Sequence, residues 1–191
     1  MYTAQERGWI RLHPFVGFDC LPEYKRRSFL TEKDLQRVIH VKLNYKRQRA
    51  IRDMFLFMCF TGLAYADLKE ITYKNIHTDS EGGTWLMGNR IKTGVAYVVK
   101  LLPIAIELVE RYRGENEKKS SPDKVFPVGE YQTMVSSLRV LTQKCGCSTE
   151  ITPHIGRHTF AVLAILKGMP LETLQKVLGH KSILSTRFMP S

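Results

Sequence analysis

The chain has 191 residues, 43% of them hydrophobic, which is enough for one compact domain with a single sizeable core. Lys plus Arg number 29 against 18 Asp plus Glu, and the net +11 favours a polyanionic partner without identifying it. No apolar run approaches the roughly 20 residues of a membrane span. The start, Met-Tyr-Thr-Ala-Gln-Glu-Arg, is too polar for a signal peptide. Four cysteines at 20, 59, 145 and 147 lack zinc-site spacing and read as reduced thiols of a cytoplasmic protein.

Residues 1–30 read as a connector, with Trp9, Ile10, Pro14 and Phe15 available to pack on the body. The run Lys25-Arg26-Arg27 suits either a solvated linker or a contact with a DNA backbone. Thr31 is placed to cap a helix carrying Leu35, Val38, Ile39 and Leu43 at helical spacing. A second helix is expected from about Arg47 to Phe60, carrying Ile51, Met54, Phe55, Phe57, Met58 and Cys59, with Thr61-Gly62 as its stop. Tyr65 to Leu68 begins a short further turn. Strands are expected at Ile71–His77, Thr84–Met87 and Tyr97–Leu102, with Asp79 to Gly83 turning between the first two. Arg90 and Lys92 fall in the link between the last two strands, two residues apart, so an extended backbone would project both to one side. Pro103 to Tyr112 and Glu130 to Lys144 read as scaffold helices, around a buried run at Val125-Phe126-Pro127.

The last forty residues hold the chemistry. Thr152-Pro153 is a helix start, and His154, Arg157 and His158 at i, i+3 and i+4 share one helical face. Phe160, Leu163, Ala164 and Leu166 are expected to bury the helix. Gly168 stops it, Pro170 opens another, and Gly179 stops that one just before His180. Imidazoles and a guanidinium presented together suit a phosphate diester. A zinc reading of His154 and His158 meets an arginine between them and no glutamate after His154. A structural reading, with His154 at a helix cap and His158 in the core, serves for either residue singly and worse for the ordered set.

The sequences His154-Ile-Gly-Arg157-His-Thr-Phe-Ala and Leu178-Gly-His180-Lys-Ser-Ile resemble the two motifs of the tyrosine recombinases, the phage-integrase family. The resemblance runs from about Gly8 to Thr186 and implies a predominantly α-helical α+β catalytic domain with a small antiparallel sheet. It divides the chain into a linker, residues 1–28, from an absent core-binding domain, and a C-terminally truncated catalytic domain, residues 29–191. It implies double-stranded DNA and other recombinase subunits on it as partners, and no membrane. Strands would be cut and rejoined through a 3′-phosphotyrosine, which stores the bond energy, so no cofactor is implied, neither ATP nor metal. By resemblance Arg157 clamps the phosphate, Lys92 is the general acid, and His154 and His180 hold and tune phosphate and nucleophile. Lys25, Arg26, Arg27 and Lys181 are the candidate DNA contacts.

Two positions depart from the family pattern. Ala64 stands where most members carry a first clamping arginine. The integrases of conjugative transposons share that loss together with an arginine just before the lysine, so Arg90 is expected to supply the missing guanidinium, with a solvated hairpin charge as the alternative. Met189 stands where the nucleophilic tyrosine belongs, and methionine cannot attack phosphorus. A one-base deletion just before the tyrosine codon would convert an Ile-Tyr-Ala-Lys tail into the Phe188-Met-Pro-Ser191 found here. The nucleotide sequence beyond the Thr186 codon decides that point, since absence of a tyrosine codon in every frame contradicts it. The expected protein therefore binds DNA without cleaving it, or serves as a non-enzymatic DNA-binding or inhibitory protein.

Overall fold

Thr31 caps the first helix of the body as its place in the sequence demands, its hydroxyl accepting from the Asp34 amide at 3.1 Å. The helix it starts, α1, spans Glu32–His40 in a computed structural model that describes residues 6–11, 28–116 and 123–179. Leu35 and Val38 face inward and are buried, as is Asp34, whose carboxylate pairs with Arg37 at 3.0 Å, while Glu32, Lys33 and Arg37 face water. Leu43, expected on this helix, is buried from the loop beyond it.

The second helix, α2, spans Lys46–Thr61 and is apolar around most of its circumference from Ile51 onward. Such a helix belongs in the centre, and Phe55, Phe57 and Met58 are wholly buried there. Gly62 ends it in the left-handed conformation, φ 68°. A short helix α3, Tyr65–Glu70, follows at once.

The expected first strand is mostly absent. Thr72–Asn75 closes on itself, with the Asn75 side chain accepting from the Thr72 amide at 2.8 Å, so a 3-10 turn occupies Tyr73–Asn75. Strand β1 is left with Ile76–Thr78. It pairs antiparallel with β2, Thr84–Asn89, which pairs antiparallel with β3, Ala96–Lys100, in the order β1-β2-β3. Leu86, Tyr97 and Val99 point into the core, whereas Met87 and Val98 face outward.

Helices α4, Pro103–Asn116, and α5, Tyr131–Cys145, pack on α2 from other sides. Helix α6, Pro153–Leu166, makes the most extensive helix contact with α2. Gly156 permits it, because a Cβ there would lie 3.2 Å from both Met58 Cβ and Phe55 Cε2. The buried residues of α6 are Pro153, Gly156, His158, Thr159, Ala161 and Val162. The expected apolar stripe is therefore displaced: Phe160, Leu163 and Ala164 are half-buried and Leu166 is exposed. Helix α7, Leu171–Leu178, closes the described chain against β3 and α6, with Leu174 and Leu178 buried. Among the described residues this makes seven α-helices and one small antiparallel sheet, the α+β architecture expected.

Near the start, Trp9 is exposed beneath the Arg7 guanidinium rather than packed on the body. Pro14, Phe15 and Lys25-Arg26-Arg27 lie outside the described residues. The entry to the body is fixed at Leu30, whose amide donates to the buried Thr159 hydroxyl at 2.9 Å. No described helix is long and apolar enough to cross a membrane.

Candidate active site

Four chain segments converge at the C-terminal end of α7. Helix α6 contributes its first turns: Thr152 accepts from the Ile155 amide at 3.3 Å, and Pro153 occupies the position where a missing N–H costs nothing. His154 is exposed, and its ring meets that of the buried His158 edge-on at 4.2 Å between centroids. Arg157, half-buried, reaches across to donate to the Gly62 carbonyl at 2.7 Å and to the Leu178 carbonyl at 2.9 Å.

Arg90 enters from the hairpin beyond β2 and is nearly as buried as a core residue, at 5% exposure. Its guanidinium forms an ion pair with Asp67 of α3 at 2.7 Å and donates to the Val177 carbonyl at 3.2 Å. The same guanidinium lies over the Tyr97 ring, 4.6 Å from its centroid. Asp67 also accepts from the Ile91 amide at 2.9 Å, so one carboxylate fixes both the arginine and the backbone beside it. The Arg90 Nε finds no acceptor among the described residues.

Two guanidinium groups thus converge on successive carbonyls of one helix end. Burial pushes Arg157 down to about 9; the neighbouring Arg90 charge pushes the same way, and Asp67 opposes it. Arg157 keeps its charge at neutral pH, but in a site that has more positive charge than one carboxylate offsets. An anion is the natural complement, and a phosphate diester offers non-bridging oxygens to both forks.

Lys92 behaves differently from Arg90. Residues 91–93 form a turn, with the Gly94 amide donating to the Arg90 carbonyl at 2.7 Å, so the backbone between them is not extended. Arg90 is buried and Lys92 exposed. The expectation that both project to one side from a strand is corrected by this turn. His180, Lys181 and Met189 lie outside the described residues, which end at Gly179. Among the described residues no group of three or more His, Cys, Asp and Glu side chains could hold a metal ion.

The family model described as the phage integrase family matches residues 28–188. The chain belongs to that family. A tyrosine recombinase XerA of Saccharolobus solfataricus is 30% identical over 169 residues, covering 87% of this chain and 54% of the relative. A tyrosine recombinase XerD of Oceanobacillus iheyensis is 25% identical over 176 residues, 85% of this chain and 57% of the relative. The chain therefore spans a little over half the length of these curated relatives. Among solved structures, XerA recombinase superposes with a TM-score of 0.72 at 21% identity, over 87% of this chain and 61% of that one. The Tn1549 transposon integrase in complex with transposon right end DNA gives 0.68 at 19% identity, over 100% of this chain and 70% of that one. These likenesses establish the fold of a phage-integrase catalytic domain.

Asp67 and the carbonyls of Gly62, Val177 and Leu178 were not singled out by sequence reasoning. Asp67 stands in Phe60–Leu68, the segment that matches the family's first box, three residues after Ala64, and a buried-carboxylate reading of that box would have required a cationic partner. Backbone acceptors leave no signal in residue identity. A separate groove of about 800 Å³ runs between α2, α4 and α5, over Ile51, Met54 and Met134 and beside Arg47, Arg49 and Arg111. None of its residues belongs to the arginine cluster.

Proposed function

We propose that this chain is the catalytic domain of a site-specific DNA recombinase, built to cut and rejoin double-stranded DNA through a 3′-phosphotyrosine. The observation that carries the reading is the convergence of Arg90 and Arg157 beside Gly62 and the end of α7. Arg157 clamps one non-bridging oxygen of the scissile phosphate. Arg90, reaching the first box from the hairpin through Asp67, supplies the second guanidinium that Ala64 cannot. Lys92, exposed on the hairpin turn, protonates the leaving 5′ oxygen as the general acid. His154 and His180 hold the phosphate from either side, and Lys25, Arg26, Arg27 and Lys181 contact the DNA backbone. In the complete reaction a tyrosine oxygen forms the bond to phosphorus while the bond to the 5′ oxygen breaks. In the rejoining step a DNA 5′ hydroxyl forms the bond to phosphorus while the bond to the tyrosine oxygen breaks, and the proton lost by the hydroxyl is returned to the tyrosine.

With Met189 at the position of the tyrosine, this chain binds DNA and holds a phosphate without cleaving it. Residues 1–28 are the connector to a core-binding domain, the element served is mobile, and the protein acts in the cytoplasm beside other subunits on DNA. Met189 also favours a second reading, a DNA-binding or inhibitory protein that exploits the inert site; restoring a tyrosine separates the two.

Binding is tested by fluorescence anisotropy with a labelled duplex over a range of salt. Affinity falling steeply with salt, and the slope decreasing by about one unit on Arg157→Gln, is expected for a phosphate contact. A slope unchanged by both Arg157→Gln and Arg90→Gln contradicts the proposal.

A further inference from the structure

Both arginines are seated by backbone, and two consecutive residues at one helix end do it. Arg90 donates to Val177, Arg157 to Leu178, and the next residue is Gly179. The last carbonyls of a helix have no partner within it and carry the negative end of its dipole, so they are natural seats for cations. The two guanidinium groups therefore satisfy acceptors that α7 leaves open.

Gly179 is left-handed, φ 58°, which alone favours glycine. A second constraint is independent of that angle. A Cβ on Gly179 would lie 2.8 Å from Arg90 Cγ and 3.0 Å from Arg90 Nε. Real carbon atoms do not approach so closely, so one partner would have to move. Arg90 has nowhere to go, because its far end is held by Asp67 and Val177 and its face lies on Tyr97. Nor can the chain at 179 retreat, since its amide closes α7 onto the Gln175 and Lys176 carbonyls.

We infer that Gly179 is a positioning residue for the phosphate clamp: its missing side chain is the space in which Arg90 lies, and α7 sets both guanidinium groups through its last two carbonyls. This rests on the reading of the site as a phosphate site. A side chain at 179 displaces Arg90 from Asp67 and spoils the clamp even where the helix still closes. The hairpin arginine and the glycine after α7 are then a matched pair.

The test is a double-mutant cycle in the full chain with inorganic phosphate as the probe. Gly179→Ala adds bulk and backbone strain together. Gly179→Asn adds bulk where asparagine tolerates the left-handed angle, so it separates clearance from strain. Each is combined with Arg90→Ala, which empties the contested space. Phosphate affinity is read by titration, and the Arg90 Nε–H resonance reports the seat of the guanidinium without any ligand. Both Gly179 variants are expected to weaken phosphate by fivefold or more with Arg90 present, to less than twofold once Arg90→Ala is in place, and to move the Arg90 resonance. Equal losses in the two backgrounds, or an unmoved resonance, would overturn the inference and leave Gly179 an ordinary helix cap. If the unsubstituted chain fails to bind phosphate but the resonance moves, the phosphate reading fails while the positioning of Arg90 by Gly179 stands.

Discussion

Asp67 and Arg90 form an ion pair at 2.7 Å with about 95% of each side chain out of solvent, and nothing in the local sequence of either residue announces the other. Removing one partner of such a pair strands a buried charge, which costs about 3–5 kcal/mol. Asp67→Ala should lower stability by that amount in a urea melt, and adding Arg90→Ala should restore part of it. A loss below about 1 kcal/mol for Asp67→Ala would show that the pair is solvated.

Thr159 ties the entry of the body to α6 through the Leu30 amide. Thr159→Val keeps the shape and removes the acceptor, leaving a buried N–H unpaired at a cost of about 1–3 kcal/mol. The midpoint of chemical denaturation measures it. The same variant should leave phosphate affinity within twofold, because the Thr159 hydroxyl is engaged by Leu30 while Arg90 and Arg157 are held by other groups.

The pH dependence of anion binding follows from Arg157, held down to about 9 by burial with Arg90 adding to it. Its charge is needed for the clamp, so the arginine contribution to phosphate affinity should be level from about pH 6 to 8 and fall as pH rises through 9. The sign for stability is opposite. The unfolded guanidinium keeps its ordinary high value, so folding works against the charge at neutral pH, and that penalty is relieved only above about 9. Bound phosphate should therefore stabilise the protein, by about 2.7 kcal/mol at a hundredfold excess over its Kd. Thermal melts with and without phosphate at pH 7 and pH 10 check both signs, and a larger stabilisation at pH 10 contradicts a clamp that needs the Arg157 charge.

Lys92 is exposed on the turn after Arg90, and the function proposed above gives it proton transfer rather than holding of the ground state. In a chain with its nucleophile restored, Lys92→Ala should cut the rate of strand cleavage by about 10²–10⁴ while changing DNA affinity by less than about threefold. Single-turnover cleavage against anisotropy separates the two. A 5′-thio leaving group, which needs no proton, should rescue the variant.

The helices were legible because their periodicity, caps and glycine stops agree. Thr31, Gly62, Thr152 and Gly179 all stand at the boundaries that their chemistry dictates. Ile71–His77 misled because a run of apolar and β-favouring residues hides the Thr72–Asn75 capping box, whose side-chain bond turns the backbone away from a strand. The burying face of α6 was misplaced because Gly156 draws the helix against α2, which rotates Ala161 and Val162 inward and leaves Leu166 in water. At the site, Arg90 and Arg157 could be named from motif and charge. Their seats could not, since these are carbonyl oxygens that every residue carries, and Asp67 shows its role only once the hairpin folds back on the first box.

The most direct measurement is covalent capture of DNA by a chain whose tail is rebuilt with Phe188→Ile, Met189→Tyr, Pro190→Ala and Ser191→Lys. The substrate is a nicked duplex carrying the recombination site of the parent element, fused where needed to a core-binding domain in the protein. A protein–DNA adduct is expected on denaturing gels from the rebuilt chain, none from the unaltered chain, and its loss on adding Arg90→Ala. An adduct that survives Arg90→Ala undiminished, or a rebuilt chain that binds the site tightly and forms none, would contradict the claim that Arg90 and Arg157 together make the phosphate clamp.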